Sequence, residues 1–205
     1  GLVNPSDYNA RVAVRSFEKS GEIEDVTVFL PRNEIIADIT VGLDDGAQLL
    51  PPTPYKHSLP IVYYGSSITE CGCCSKTSNA YSALISRWLD VDYYNFGFSG
   101  NAKGEPEMAD YINTVDKSVF VLDYDHNAPT VEYLEQTHEP FFKRIRAASP
   151  DLPVVMMTMP DFGTEKTAQQ RRQVIRKTYD NAVTAGDKNV YFVDGGTFFS
   201  SEEVH

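Results

Sequence analysis

No apolar run in the 205-residue sequence approaches the roughly 18 consecutive residues that a bilayer-spanning helix needs. The longest, such as Val154-Val155-Met156-Met157, suit buried strands, so no membrane span is expected. Basic residues are scarce too: 18 Lys and Arg stand against 29 Asp and Glu, a net charge of −11. Phosphate backbones and anionic membranes are held through Lys and Arg, and no basic run or basic-aromatic stripe offsets the deficit locally. Nucleic acid is therefore not an expected partner. Only three cysteines occur, all within Glu70-Cys71-Gly72-Cys73-Cys74. A structural zinc site would need a fourth ligand and usually a second paired motif, and neither is evident. A local disulfide would leave one thiol over, so three free thiols in a turn are the expected state. Cys71, Cys73 and Cys74 leave the redox compartment open. The N-terminus lacks the basic-then-apolar pattern of a signal peptide, so the chain is expected in the cytoplasm or, after processing, in the periplasm or outside the cell.

What is present is ordinary globular composition, 41% hydrophobic and without low-complexity stretches, in a length that suits one α/β domain with a small appendage. Residues 1–57 read as β. Val26-Thr27-Val28-Phe29-Leu30 and Ile35-Ile36-Ala37-Asp38-Ile39-Thr40-Val41 are β-branched runs bounded by Pro31-Arg32-Asn33 and Asp44-Asp45-Gly46. So few strands cannot bury a core alone, so this segment is expected to lie against the larger α/β domain. Pro51-Pro52-Thr53-Pro54 forms a stiff linker.

From residue 58 to 205 strands alternate with helices. Strands are predicted at 60–64, 92–96, 118–124, 153–159 and 189–193. The first helix carries Tyr81, Leu84, Ile85, Trp88 and Leu89 at the spacing of one buried face. Met108, Ile112 and Val115 mark a second helix. Leu134, Phe141, Phe142 and Ile145 mark a third, bent or restarted at Pro140. Residues 164–185 form a fourth, with Thr164 as N-cap and Gly186 as C-cap. This alternation predicts a flavodoxin-like three-layer α/β sandwich: a five-stranded parallel sheet, order 2-1-3-4-5, beside the short N-terminal β segment.

In such sheets ligands bind beyond the C-terminal strand ends. After the first strand comes Gly65-Ser66-Ser67-Ile68-Thr69, and after the second Gly97-Phe98-Ser99-Gly100-Asn101. The third ends in Asp123-Tyr124-Asp125-His126-Asn127. In the predicted order these three loops are neighbours. Ser67, on a sharp turn, is a candidate nucleophile. The glycines of the second loop let a backbone N–H approach a substrate closely, and Asn127 can donate a side-chain N–H to the same oxyanion. No glycine-rich phosphate cradle appears, which disfavours a nucleotide-binding protein and leaves no cofactor expected.

These blocks resemble the SGNH or GDSL-like hydrolases, and specifically a bacterial subgroup with an N-terminal β domain. Residues 61–69 look like the first block of that family, Gly-Asp-Ser, with Ser66 in place of the Asp. Residues 95–100 look like the second, and 119–127 like the third, with Asp125 where a Gly is expected. The resemblance implies Ser67 as nucleophile, with the Gly100 amide and the Asn127 side chain in the oxyanion hole. It also implies an Asp-x-x-His block near the C-terminus followed by a last helix. Val193-Asp194-Gly195-Gly196 resembles the strand end before that block, yet no His follows three residues after Asp194. Either Glu202-x-x-His205 is a shortened equivalent, with His205 as base, or the block and helix are missing; the second is expected. His57 and His138 are expected at the surface, and His126 at most lines the site. Asp123 and Asp125 share a strand face and could pair as acid and base or hold a cation, but carboxylates at loop mouths more often cap or face solvent. The implied function is hydrolysis of a small acyl ester, such as an acetylated sugar. The alternative is a truncated or inactive relative that binds a small-molecule ligand without turnover. Oligomeric state is not legible.

Overall fold

Five segments rich in β-branched and aromatic residues pair into one sheet: β1 (His57–Gly65), β2 (Val91–Gly97), β3 (Val119–Asp123), β4 (Val154–Met157) and β5 (Val190–Val193). All pairs are parallel and the order is β2-β1-β3-β4-β5. Between them lie α1 (Ser67–Glu70), α2 (Tyr81–Leu89), α3 (Pro106–Asn113), α4 (Val131–Ala148) and α5 (Lys166–Thr184). This computed structural model describes residues 14–31, 35–160 and 166–199.

Alternation along the strands splits the sheet into two faces. Val62, Tyr64, Phe120, Leu122, Val154 and Met156 form the main core with Ile112 of α3, Leu134, Phe141 and Ile145 of α4, and Ile175 of α5. Ile61, Tyr63 and Val121 point the other way and meet Tyr81 and Ile85 of α2. Register is what matters for function. Gly65 pairs with Gly97 on one side and with Asp123 on the other. Three strands therefore end level, and their loops start side by side.

Several sequence expectations need correction. Residues 26–30 and 35–41 are not strands. β-propensity is realised only on a paired, half-buried surface, and here Val26, Val28, Ile35 and Ile39 are exposed. The segment touches the α/β domain at Phe29, which packs near Cys71, Ala80 and Ala83, and at the Leu30 carbonyl, which accepts from Thr77 Oγ1 at 3.2 Å. The buried face of α2 is Ser82, Ala83 and Ser86, while Trp88 and Leu89 are exposed. Small side chains let this helix lie close to the sheet, and hydrogen bonds satisfy their hydroxyls. Ser86 donates to the Val91 carbonyl at 2.6 Å, and Ser82 accepts from Asn95 at 3.0 Å. The α4 helix runs through Pro140 without restarting. His138, expected at the surface, is fully buried on that helix, bonded to Thr178 at 3.0 Å and stacked on Tyr124. Glu135 and Gln136 nearby are exposed, and a periodicity weighted on apolar residues gives His138 no place on the buried face. Thr164 lies outside the described residues; Gly186 follows α5 at φ +90°, the left-handed turn that favours glycine.

Candidate active site

Gly65 closes β1 where no side chain fits: a Cβ there would sit 2.0 Å from Thr69 Oγ1 and 2.5 Å from the Asp123 carbonyl. The chain turns at Ser66, whose buried hydroxyl caps α1 by accepting from the Ile68 N–H at 3.2 Å. Ser and Asp are both good N-caps, which explains why Ser66 can stand where the resemblance expects Asp. Ser67 is the first residue of α1 and half-buried. Cys71 ends the helix at φ +72°, and Gly72 N–H donates to the Ser67 carbonyl at 2.6 Å. That reversal brings Cys74 back onto Cys71, whose carbonyl accepts from the Cys74 N–H at 3.1 Å. Cys71 and Cys74 form a disulfide with Cα atoms 5.2 Å apart, and Cys73 is free and exposed. The expectation of three thiols is thus corrected; the left-handed Cys71 that closes the loop carries no sequence signal.

The β2 loop is bonded to the nucleophile turn. Phe98 N–H donates to the Gly65 carbonyl at 2.9 Å. The Phe98 carbonyl then accepts from Asn101 N–H, from Ala102 N–H and, at 2.7 Å, from the Asn127 side-chain amide. Glycine at position 97 permits this approach, since a Cβ would lie 2.2 Å from the Glu70 backbone nitrogen. Ser99 donates to the Glu70 carboxylate through both its N–H, at 2.7 Å, and its hydroxyl. Gly100 lies at φ +70°. Asn127 sits in a 3-10 turn, Asp125–Asn127, directly after β3. The loops bearing Ser67, Gly100 and Asn127 are therefore joined by hydrogen bonds at one edge of the sheet. Glu202 and His205 lie outside the described residues.

Beneath the loops is a polar layer that sequence reasoning ranked too low. Asp123 is 3% exposed, and its carboxylate accepts from Thr69 at 2.8 Å and from Tyr81 at 2.9 Å. Asp125 is fully buried and accepts from the Met159 N–H at 3.0 Å. Neither faces solvent, because the level strand ends draw both carboxylates under α1 and the end of β4. Burial, with Asp125 nearby, pushes Asp123 up to about 7, against the two hydroxyl hydrogen bonds. Burial also pushes Asp125 up to about 6, opposed by the Met159 N–H and Arg171. A carboxyl raised in the folded state contributes stability that is complete below its unfolded value, near 3.8 for Asp123, and is lost as pH rises through about 7. Asp123→Asn keeps an oxygen acceptor for Thr69 and Tyr81. It should therefore stabilise the protein relative to wild type more at about pH 8 than at about pH 5, read by urea unfolding. An equal shift at both pH values would contradict the assignment.

The described histidines supply no obvious base. Burial holds His138 down to about 3, and His57 and His126 are exposed. The sequence contains one Asp-x-x-His, Asp123 to His126, but its carboxylate is taken by Thr69 and Tyr81. Among the described residues, no group of three or more His, Cys, Asp or Glu could hold a metal ion, and no helix is long and apolar enough to cross a membrane. A hollow of about 330 Å³ lies between β2 and the α1–α2 segment, lined by Glu70, Thr77, Ala80, Tyr93, Asn95 and Gly97 and not by Ser67, Gly100 or Asn127. A larger one, about 800 Å³ between α4 and α5, opens near Pro150 and Asn189, which precede β4 and β5, away from these loops.

Comparison with known proteins agrees with the fold. Residues 58–204 match the family model described as the GDSL-like Lipase/Acylhydrolase family. Similar solved structures include a protein assigned as a GDSL-like lipase from Bacteroides ovatus, 25% identical over 74% of this chain and 46% of that one, with a TM-score of 0.66. A salicylyl-acyltransferase from a tetracycline biosynthetic pathway is 20% identical, with 72% and 47% coverage and a TM-score of 0.61. A family two carbohydrate esterase from Clostridium thermocellum, solved with cellohexaose, is 17% identical over 71% and 56%, with a TM-score of 0.57. The chain thus spans about half the length of these structures. No curated protein matches it.

Proposed function

The chain belongs to the GDSL-like lipase/acylhydrolase family, and on that premise we propose that it is a serine esterase acting on a small acyl ester, with Ser67 as nucleophile. One observation carries this reading. An unbroken hydrogen-bonded path runs from the Gly65 carbonyl, two residues before Ser67, through Phe98 to the Asn127 amide. In this mechanism Ser67 Oγ attacks the acyl carbonyl carbon. The developing oxyanion accepts from the backbone N–H groups of Ser67 and Gly100 and from the second N–H of the Asn127 amide, the first being held by Phe98. Collapse expels the alcohol, and water then attacks the acyl-serine to release the acid.

A general base must take the Ser67 proton for rapid turnover. The resemblance supplies it from Asp-x-x-His, a pattern from which Glu202-x-x-His205 departs. That departure keeps a second reading alive, a relative that binds an ester-like ligand without turnover. For the substrate we favour an acetylated carbohydrate, because the similar solved structures include a family two carbohydrate esterase. Acetate release from acetylated oligosaccharides and from esters of increasing acyl length tests this. Acetyl esters should be cleaved fastest, and a preference for octanoyl esters would contradict the substrate class.

A further inference from the structure

One buried arginine has no part in this mechanism. Arg171, on α5, is 9% exposed, and its guanidinium reaches beneath the sheet edge to the turn after β3. Nη1 donates to the Asp125 carbonyl at 2.5 Å and Nη2 to the Ala128 carbonyl at 2.8 Å. Those two carbonyls bracket His126 and Asn127. The planar fork of an arginine matches such a pair of acceptors at fixed separation, which a lysine ammonium does not. The charge also faces the Asp125 carboxylate, whose Oδ2 ties the turn to the Met159 N–H just beyond β4. The neighbouring Arg172 instead bridges to Asp194 at 2.7 Å, at the end of β5, so α5 cross-links two strand ends through consecutive arginines.

We propose that Arg171 is a positioning residue for ester hydrolysis: its guanidinium clamps the Asp125–Ala128 turn so that the Asn127 amide stays aimed at the oxyanion. The proposal rests on the reading of Asn127 as an oxyanion donor. The other ties of this turn are single hydrogen bonds, so it can drift when the fork is lost, and a misplacement of about 1 Å at the reacting centre costs on the order of 10²-fold. Asn127 keeps its bond to Phe98 only if the turn stays in place.

The experiment is a double-mutant cycle of Arg171→Lys and Asn127→Ala. It is read as the hydrolysis rate of an activated acetate ester and as the phosphonylation rate by a fluorophosphonate, with unfolding midpoints measured alongside. Arg171→Lys should lower kcat roughly tenfold to 10²-fold with KM nearly unchanged, and should cost little in the Asn127→Ala background. Equal losses in both backgrounds would make Arg171 merely structural and overturn the proposal. If Asn127→Ala alone changes nothing while Ser67 still reacts, the oxyanion role of Asn127 fails first and the proposal falls with it. If Arg171→Lys does not fold, Arg171→Gln, which keeps two N–H donors, runs the same cycle: a loss confined to the Asn127 background supports the clamp, and equal losses overturn it.

Discussion

Ser67→Ala is expected to lower hydrolysis of an activated acetate ester by on the order of 10²-fold or more without changing the unfolding midpoint. The hydroxyl sits on a turn built for it. Gly65 cannot carry a Cβ, Ser66 caps the helix, and Gly72 bonds the Ser67 carbonyl from the far side. Removing one oxygen from a half-buried position disturbs none of these bonds, so a loss of rate reports chemistry and not folding. The same assay addresses the base. His205→Ala should leave the rate within about twofold, as expected if Glu202-x-x-His205 is not a shortened equivalent of the family's Asp-x-x-His block. A fall of about 10²–10⁴ would instead make His205 the base, working through Glu202-x-x-His205. A rate that survives Ser67→Ala would remove the foundation of the proposed function.

Asn127→Ala should lower kcat by about 10²–10³, the usual cost of deleting one oxyanion-hole donor, with a smaller change in KM. The prediction is clean because the substitution leaves the β2 loop anchored. The Phe98 carbonyl keeps the Asn101 and Ala102 N–H donors when the Asn127 amide is gone, and the 3-10 turn keeps its Tyr124 and Asp125 backbone bonds. Steady-state kinetics on the same ester checks it. A change in KM alone would mean that Asn127 binds the ground state and not the developing charge.

The strand-helix alternation was legible because each buried strand is a short β-branched or aromatic run, and the register of glycine, glycine and aspartate at three strand ends turned three motifs into neighbours. Local pattern was enough where one segment decides its own fate. It failed where the deciding partner is distant in sequence. Val26 to Leu30 reads as a strand by propensity, yet among the described residues it pairs with no other strand, and of its apolar side chains Phe29 alone packs in a core cluster there. Trp88 and Leu89 dominate any apolar count for α2, but Ser82 and Ser86 dock the helix because Asn95 and the Val91 carbonyl are waiting for them. The burial of the polar layer under the site was not legible for the same reason. Asp123 needs Thr69 and Tyr81, 54 and 42 residues away, before its burial is tolerable, and Arg171 finds its carbonyls more than 40 residues upstream. A sequence shows the charges but not the distant partners that let them be buried.

The central claim is that Ser67 is a nucleophile set in an acyl-transfer site, and covalent labelling tests it most directly. Treatment with a fluorophosphonate, in which Ser67 Oγ displaces fluoride at phosphorus and the hydroxyl proton leaves with it, is followed by peptide mass analysis. A single added phosphonyl group is predicted on the peptide containing Ser67, absent in Ser67→Ala. Labelling at another residue, or equal labelling of wild type and Ser67→Ala, would contradict it.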